Sequence, residues 1–114
     1  KEAKVTHSQI SEGCEIHGNV SESILFSDVV IGKGATVEYS ILMPGVVVEP
    51  GASVRYSIVA EGAHICESAV IGGAPSEVEA DAWGVAVVAS GVRIGKGAKL
   101  PAKEMAGEDL PDAE

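Results

Sequence analysis

Three histidines (His7, His17, His64), two cysteines (Cys14, Cys66) and three evenly spaced serines (Ser23, Ser40, Ser57) are the residues of this 114-residue chain best equipped for chemistry. A zinc-hydroxide site on three imidazoles needs them around one ion, two of them close in sequence. General-base catalysis needs one imidazole facing a cleft, with a carboxylate to orient it. A nucleophilic serine needs a histidine within reach. Cys14 and Cys66 lack the CxxC spacing of a zinc ribbon or dithiol redox motif. Glu77, Glu79 and Asp81 alternate along one short segment, but no second ligand group converges on them in sequence. We therefore expect a solvated loop there, and no metal.

What must position these residues is a repeat. Aliphatic side chains stand at Val20, Leu25, Ile31, Val37, Leu42, Val48, Val54, Val59, Ile65 and Ile71, with steps of 5, 6 and 6 repeated three times. No helical period gives that series, and an amphipathic strand would alternate without interruption. It is a hexapeptide repeat with one residue dropped on every third side.

In a short strand, residues i−2 and i point to one side and i−1 to the other. One face then collects Ser8-Gln9-Ile10, Ser23-Ile24-Leu25, Ser40-Ile41-Leu42, Ser57-Ile58-Val59 and Ala86-Val87-Val88. A second collects Cys14-Glu15-Ile16, Val29-Val30-Ile31, Val46-Val47-Val48, Ala63-His64-Ile65 and Val92-Arg93-Ile94. The third runs from Gly18-Asn19-Val20 through Ala35-Thr36-Val37, Ala52-Ser53-Val54 and Ala69-Val70-Ile71 to Ala98-Lys99-Leu100. Every triplet ends on an aliphatic and begins with a residue no larger than valine, which suits a narrow triangular core. Five coils would rise about 24 Å at 4.8 Å per strand. Gly34 with Gly51, and Gly45 with Gly62, turn the corners, where Asp28 and Ser68 stand in for glycine.

This reading makes the fold all-β and divides the chain into a linker at 1–7, a β-helix at 8–100 with an insertion at 72–84, and an acidic solvated tail at 101–114. Trp83 is expected to pack the insertion onto the prism. The serines take inward slots for their size, each bonding a backbone carbonyl or the serine of the next rung. Cys14 takes an inward slot and is expected to be buried. Cys66 lies three rungs away, about 14 Å along the axis by strand spacing, so both thiols are expected to be free.

The net charge of −9 argues against nucleic acid or an anionic membrane as partner. No signal peptide or apolar run near twenty residues is visible in this stretch, which opens on Lys1. A cytoplasmic piece of a longer protein is the expectation.

The texts SEGCEIHGNV, SILFSDVVIGKG and SILMPGVVV, within the run from Ser8 to Ile71, closely resemble the C-terminal domain of bacterial ADP-glucose pyrophosphorylase (glucose-1-phosphate adenylyltransferase). The last coil, GVRIGKGAKLP, resembles it more loosely. The resemblance implies a left-handed, single-stranded parallel β-helix. It implies a parent enzyme that makes ADP-glucose and pyrophosphate from ATP and glucose 1-phosphate for glycogen synthesis. Mg²⁺ and ATP would be held by an N-terminal catalytic domain, and this fragment would need no cofactor. Its role would be assembly, in a tetramer or with a paralogue, and a share in a sugar-phosphate effector pocket. No catalytic, cofactor-binding or effector residue is carried over to these positions. Alternatives are the same domain in a non-catalytic regulatory paralogue, or a hexapeptide acyltransferase with His64 as base. Against the last, the column neighbours Val30 and Val47 offer His64 no orienting carboxylate.

The outward member of each triplet is mostly polar on the second and third faces. On the first it reads Gln9, Ile24, Ile41, Ile58, Val87. Four consecutive rungs with an outward branched aliphatic predict an interface column, Ile24–Ile41–Ile58–Val87, covered by the catalytic domain or another subunit. Val30 with Val47, flanked by Phe26 and Met43, is a shorter candidate.

Overall fold

The computed structural model describes residues 3–77 and 79–113. The chain is an all-β parallel solenoid of about six turns, as a left-handed hexapeptide helix requires, and its strands fall into three sheets. The first face stacks Gln9–Ile10, Ile24–Leu25, Ile41–Leu42, Ser57–Val59, Ala86–Val88 and Met105–Ala106. The second stacks Glu15–Ile16, Val30–Ile31, Val47–Val48, His64–Ile65 and Arg93–Ile94, and the third runs from Lys4–Thr6 to Lys99–Leu100. All pairs are parallel and in the expected columns: Leu25 lies on Leu42, Ile31 on Val48, Val37 on Val54.

Alternation sorts the side chains as the pleat demands. Val20, Leu25, Ile31, Val37, Leu42, Val48, Val54, Val59, Ile65 and Ile71 are all at most 1% exposed. Each such side chain contributes about 1.5–3 kcal/mol of hydrophobic stabilisation. The small inward slots are filled by Ala35, Ala52, Ala63 and Ala69. In the short first coil this slot narrows further, because a Cβ on Gly18 would meet Ala35 O at 2.5 Å.

The serine column is a continuous ladder. Each hydroxyl donates to the carbonyl two residues back, Ser23 to Ser21, Ser40 to Glu38 and Ser57 to Arg55, all at 2.8 Å. The Oγ of Ser8, Ser23 and Ser40 each accepts the amide of the serine one rung up, at 3.1 Å, and the ladder ends at Ser57, which has Ala86 above it. Between carbonyl and serine sits a left-handed residue that is not glycine: His7, Glu22, Tyr39 and Tyr56, with φ of 47, 53, 50 and 51°. That geometry costs roughly 1–2 kcal/mol per residue. The ladder offsets it, since the same carbonyl accepts the serine hydroxyl and the amide of the left-handed residue above, as Glu38 O does from Ser40 and Tyr56.

The coil extends beyond the expected boundaries at both ends. Lys4–Thr6, placed in a linker from sequence, pairs with Asn19–Ser21. Met105–Ala106, placed in a solvated tail, pairs with Ala86–Val88. Leu110 then bridges to Ile94, with Gly95 N donating to Leu110 O (2.8 Å). Asp109 and Asp112 accept the amides of Arg93 and Lys96, each at 2.8 Å. The Lys96 amide holds the Asp112 carboxyl below its ordinary range. The carboxylates of the tail thus close the last turn by satisfying amides at its edge. The lower end is open: Val5 and Ile10 are 43% and 38% exposed.

Between Ile71 and Ala86 the described residues form a loop with two 3₁₀ turns, Pro75–Glu77 and Ala80–Ala82. It is tied down more firmly than a solvated loop. Arg55 Nη2 donates to Glu77 Oε2 at 2.6 Å, Trp83 Nε1 donates to Gly73 O at 2.8 Å, and the Trp83 ring packs edge-on against Tyr56. Tyr56 in turn stacks on Tyr39, centroids 4.7 Å apart. Among the described residues no helix is long and apolar enough to cross a membrane.

Candidate functional site

The three histidines do not converge. His7 pairs with Glu22 at one corner (3.1 Å), and His17 lies 3.9 Å from Glu15 on the lowest rung of the second face. His64 is different. It stands outward on the second face, stacked between Val47 below and Arg93 above. Its Nε2 donates to Glu49 Oε2 at 2.5 Å.

The expectation that His64 has no orienting carboxylate is therefore overturned. Glu49 was missed because it is not in the His64 column. It follows Val48 at the corner one rung below, and a diagonal neighbour lies within reach of a long side chain. Its other oxygen, Oε1, accepts the Glu67 amide at 3.0 Å, so the carboxylate is held from two sides. The hydrogen bond from His64 keeps the Glu49 carboxyl below the usual range, against a smaller opposing effect of burial.

Cys66 completes the group. Ile65 points inward, which returns Cys66 to the side of His64, and it stacks in the corner column directly above Glu49. One donor atom each from Glu49, His64 and Cys66 lies within 4.8 Å of the other two. Cys66 is 3% exposed, whereas the His64 and Glu49 side chains are 42% and 32% exposed. Burial pushes the Cys66 thiol up, so it is held protonated. Arg93, one rung above, pairs with Asp112 Oδ1 at 3.3 Å.

The cysteines are both free, but only Cys66 is buried. Cys14 was expected to be buried and is half-buried, because its rung lies at the open lower end; its Sγ donates to Phe26 O. The inward serine hydroxyls all donate within the ladder. Ile24, Ile41, Ile58 and Val87 stand in one register, with Met105 continuing the column above. Ile24 and Ile58 are exposed, Ile41 and Val87 half-buried, and Phe26 is exposed beside them. A shallow groove of about 270 Å³ opens on the third face between Lys4, Asn19, Thr36 and Glu38, away from His64.

A family profile described as GlmU-like, C-terminal hexapeptide matches residues 1–94. The chain belongs to that family. Curated relatives of this GlmU-like hexapeptide domain match a shorter stretch. Glucose-1-phosphate adenylyltransferase from Thermosipho africanus is 60% identical over 35 residues, 31% of this chain and 8% of the relative. The enzyme of the same name from Bacillus subtilis is 50% identical over 36 residues, 32% of this chain and 10% of the relative. The matched segment is thus about a tenth of those proteins or less. Among solved structures, perosamine N-acetyltransferase from Caulobacter crescentus, in complex with CoA and GDP-perosamine, superimposes with a TM-score of 0.70 and 22% identity. The overlap covers 98% of this chain and 48% of that one, and it shows a shared fold.

Proposed function

We propose that this hexapeptide domain is the C-terminal assembly and regulatory module of a glucose-1-phosphate adenylyltransferase. The parent enzyme makes ADP-glucose and pyrophosphate from ATP and glucose 1-phosphate. What carries the reading is that the matched curated relatives are 47–60% identical over 35–38 residues and bear that one name. In this reading ATP and Mg²⁺ belong to an N-terminal domain, the location is cytoplasmic, and the solenoid itself turns nothing over. The column Ile24–Ile41–Ile58–Val87 then meets the catalytic domain or a neighbouring subunit of a tetramer, and sugar-phosphate effectors bind between domains.

The parent protein is expected to release pyrophosphate only when both ATP and glucose 1-phosphate are supplied. Release with neither substrate requirement, or none at all, would overturn the assignment. In that parent, Ile41→Lys is expected to lower the oligomer mass and the melting temperature, because a strongly hydrated ammonium replaces a branched aliphatic in the contact. Unchanged mass and melting would remove the interface.

A second reading has one observation in its favour. The Glu49–His64 pair has the arrangement of a carboxylate-oriented general base, as acyl transfer to an amine requires. On that reading the chain turns over acetyl-CoA with an amino-sugar acceptor, and His64→Ala abolishes the rate. Absence of any acetyl transfer by the wild-type chain would end it.

A further inference from the structure

We propose that Glu49, His64 and Cys66 form a binding site for one zinc-class divalent cation. The inference does not depend on the adenylyltransferase reading and concerns side chains that reading leaves idle.

Three features carry it. First, the donors are a carboxylate, an imidazole and a thiol, converging to within 4.8 Å on backbone fixed by parallel pairing to the rungs above and below. A mixed sulfur, nitrogen and oxygen set selects zinc, or cobalt in its place, over magnesium or calcium, which take oxygen ligands. Second, the spacing is favourable. Ligand atoms around tetrahedral zinc lie about 3.3–3.8 Å apart, given bonds of about 2.0–2.3 Å. The present donor atoms lie within 4.8 Å of one another, and Glu49 and His64, both part-exposed and now drawn together by their hydrogen bond, are the side chains that turn to take up an ion. Third, the charge closes. A carboxylate, a thiolate and a neutral imidazole balance a dication, while Arg93 above is already paired with Asp112.

Binding is a proton exchange. The ion displaces the proton of the Cys66 thiol, which is released to water, while the neutral His64 ring carries its proton on Nδ1 and turns Nε2 from Glu49 to the ion, and three metal–ligand bonds form. The position left open faces solvent on the side where His64 and Glu49 are exposed, so water fills it. Three protein ligands with one open position is the arrangement of zinc sites that activate water or bind an exchangeable ligand.

Cobalt(II) titration reads the site directly. The wild-type chain is expected to develop intense visible bands of tetrahedral cobalt and a thiolate-to-cobalt charge-transfer band, saturating at one equivalent and discharged by zinc. Cys66→Ser is expected to lose the charge-transfer band while keeping its circular dichroism. His64→Ala and Glu49→Gln, at part-exposed positions, are expected to weaken binding about tenfold or more. Cys14→Ser is expected to titrate like the wild type. A weak octahedral spectrum without charge transfer in the wild type overturns the proposal. So does a charge-transfer band that survives Cys66→Ser or disappears with Cys14→Ser. The wild-type titration stands even if a variant fails to fold.

Discussion

Gly72→Ala is expected to cost the domain about 3 kcal/mol or more, the sum of a left-handed backbone and an overpacked contact. Gly72 has φ of +74°, and its amide donates to Leu100 O at 2.7 Å just where the chain leaves the third face for the loop. An added Cβ would run into the Arg55 carbonyl oxygen and the Ser57 hydroxyl. Those two atoms are bonded to each other in the serine ladder, so neither can retreat without breaking it. Gly62 is the matched control. It has nearly the same φ, +73°, but nothing within 4 Å of its notional Cβ. Gly62→Ala should therefore cost only the conformational part, about 1 kcal/mol. Urea denaturation of the two variants separates the contributions. Equal losses would mean that the approach of Gly72 to the ladder contributes nothing.

Leu42→Ala is expected to lower stability by about 2–5 kcal/mol. Leu42 is fully buried between Leu25 and Val59, and a one-chain-wide prism has no second layer to collapse into the cavity. Its neighbour Ile41 is only half-buried and points the other way. Ile41→Ala in the isolated domain should cost no more than about 1 kcal/mol. Thermal melts of the two variants test the alternation itself. If the pair were equally costly, the assignment of inward and outward residues would be wrong at this rung.

Much of this scaffold is readable without coordinates, for a physical reason. A prism one strand wide makes every face local, so the inward residue of each rung is set by the alternation of a few neighbours in sequence. The ends were harder. Val5 lies 15 residues before Val20, the same offset as Ile10 to Leu25 and Ile16 to Ile31, a sign of the Lys4–Thr6 strand that the assignment of 1–7 to a linker overlooked. At the other end the repeat fades into Ala106 and Leu110, and the turn is completed by aspartates bonding amides, for which no hydropathy pattern exists.

The corner at Tyr39 and Tyr56 was hidden for another reason. Left-handed backbone suggests glycine, and what permits tyrosine is a hydrogen bond from a different rung. The Glu49–His64–Cys66 group was hidden in the same way: its members sit in two adjacent columns, and reading down one column at a time never brings them together.

The same corner has a consequence for how such a scaffold diversifies. Ser57 pairs with Ala86, 29 residues on, where Ser40 to Ser57 takes 17, yet Ile58 and Val59 still meet Val87 and Val88 in unbroken register. The solenoid therefore keeps count in rungs and is indifferent to how much chain is spent between them. A new loop can be spliced in at this edge, clasped by Arg55 and Trp83, and later exchanged for another, while every face above and below keeps its place.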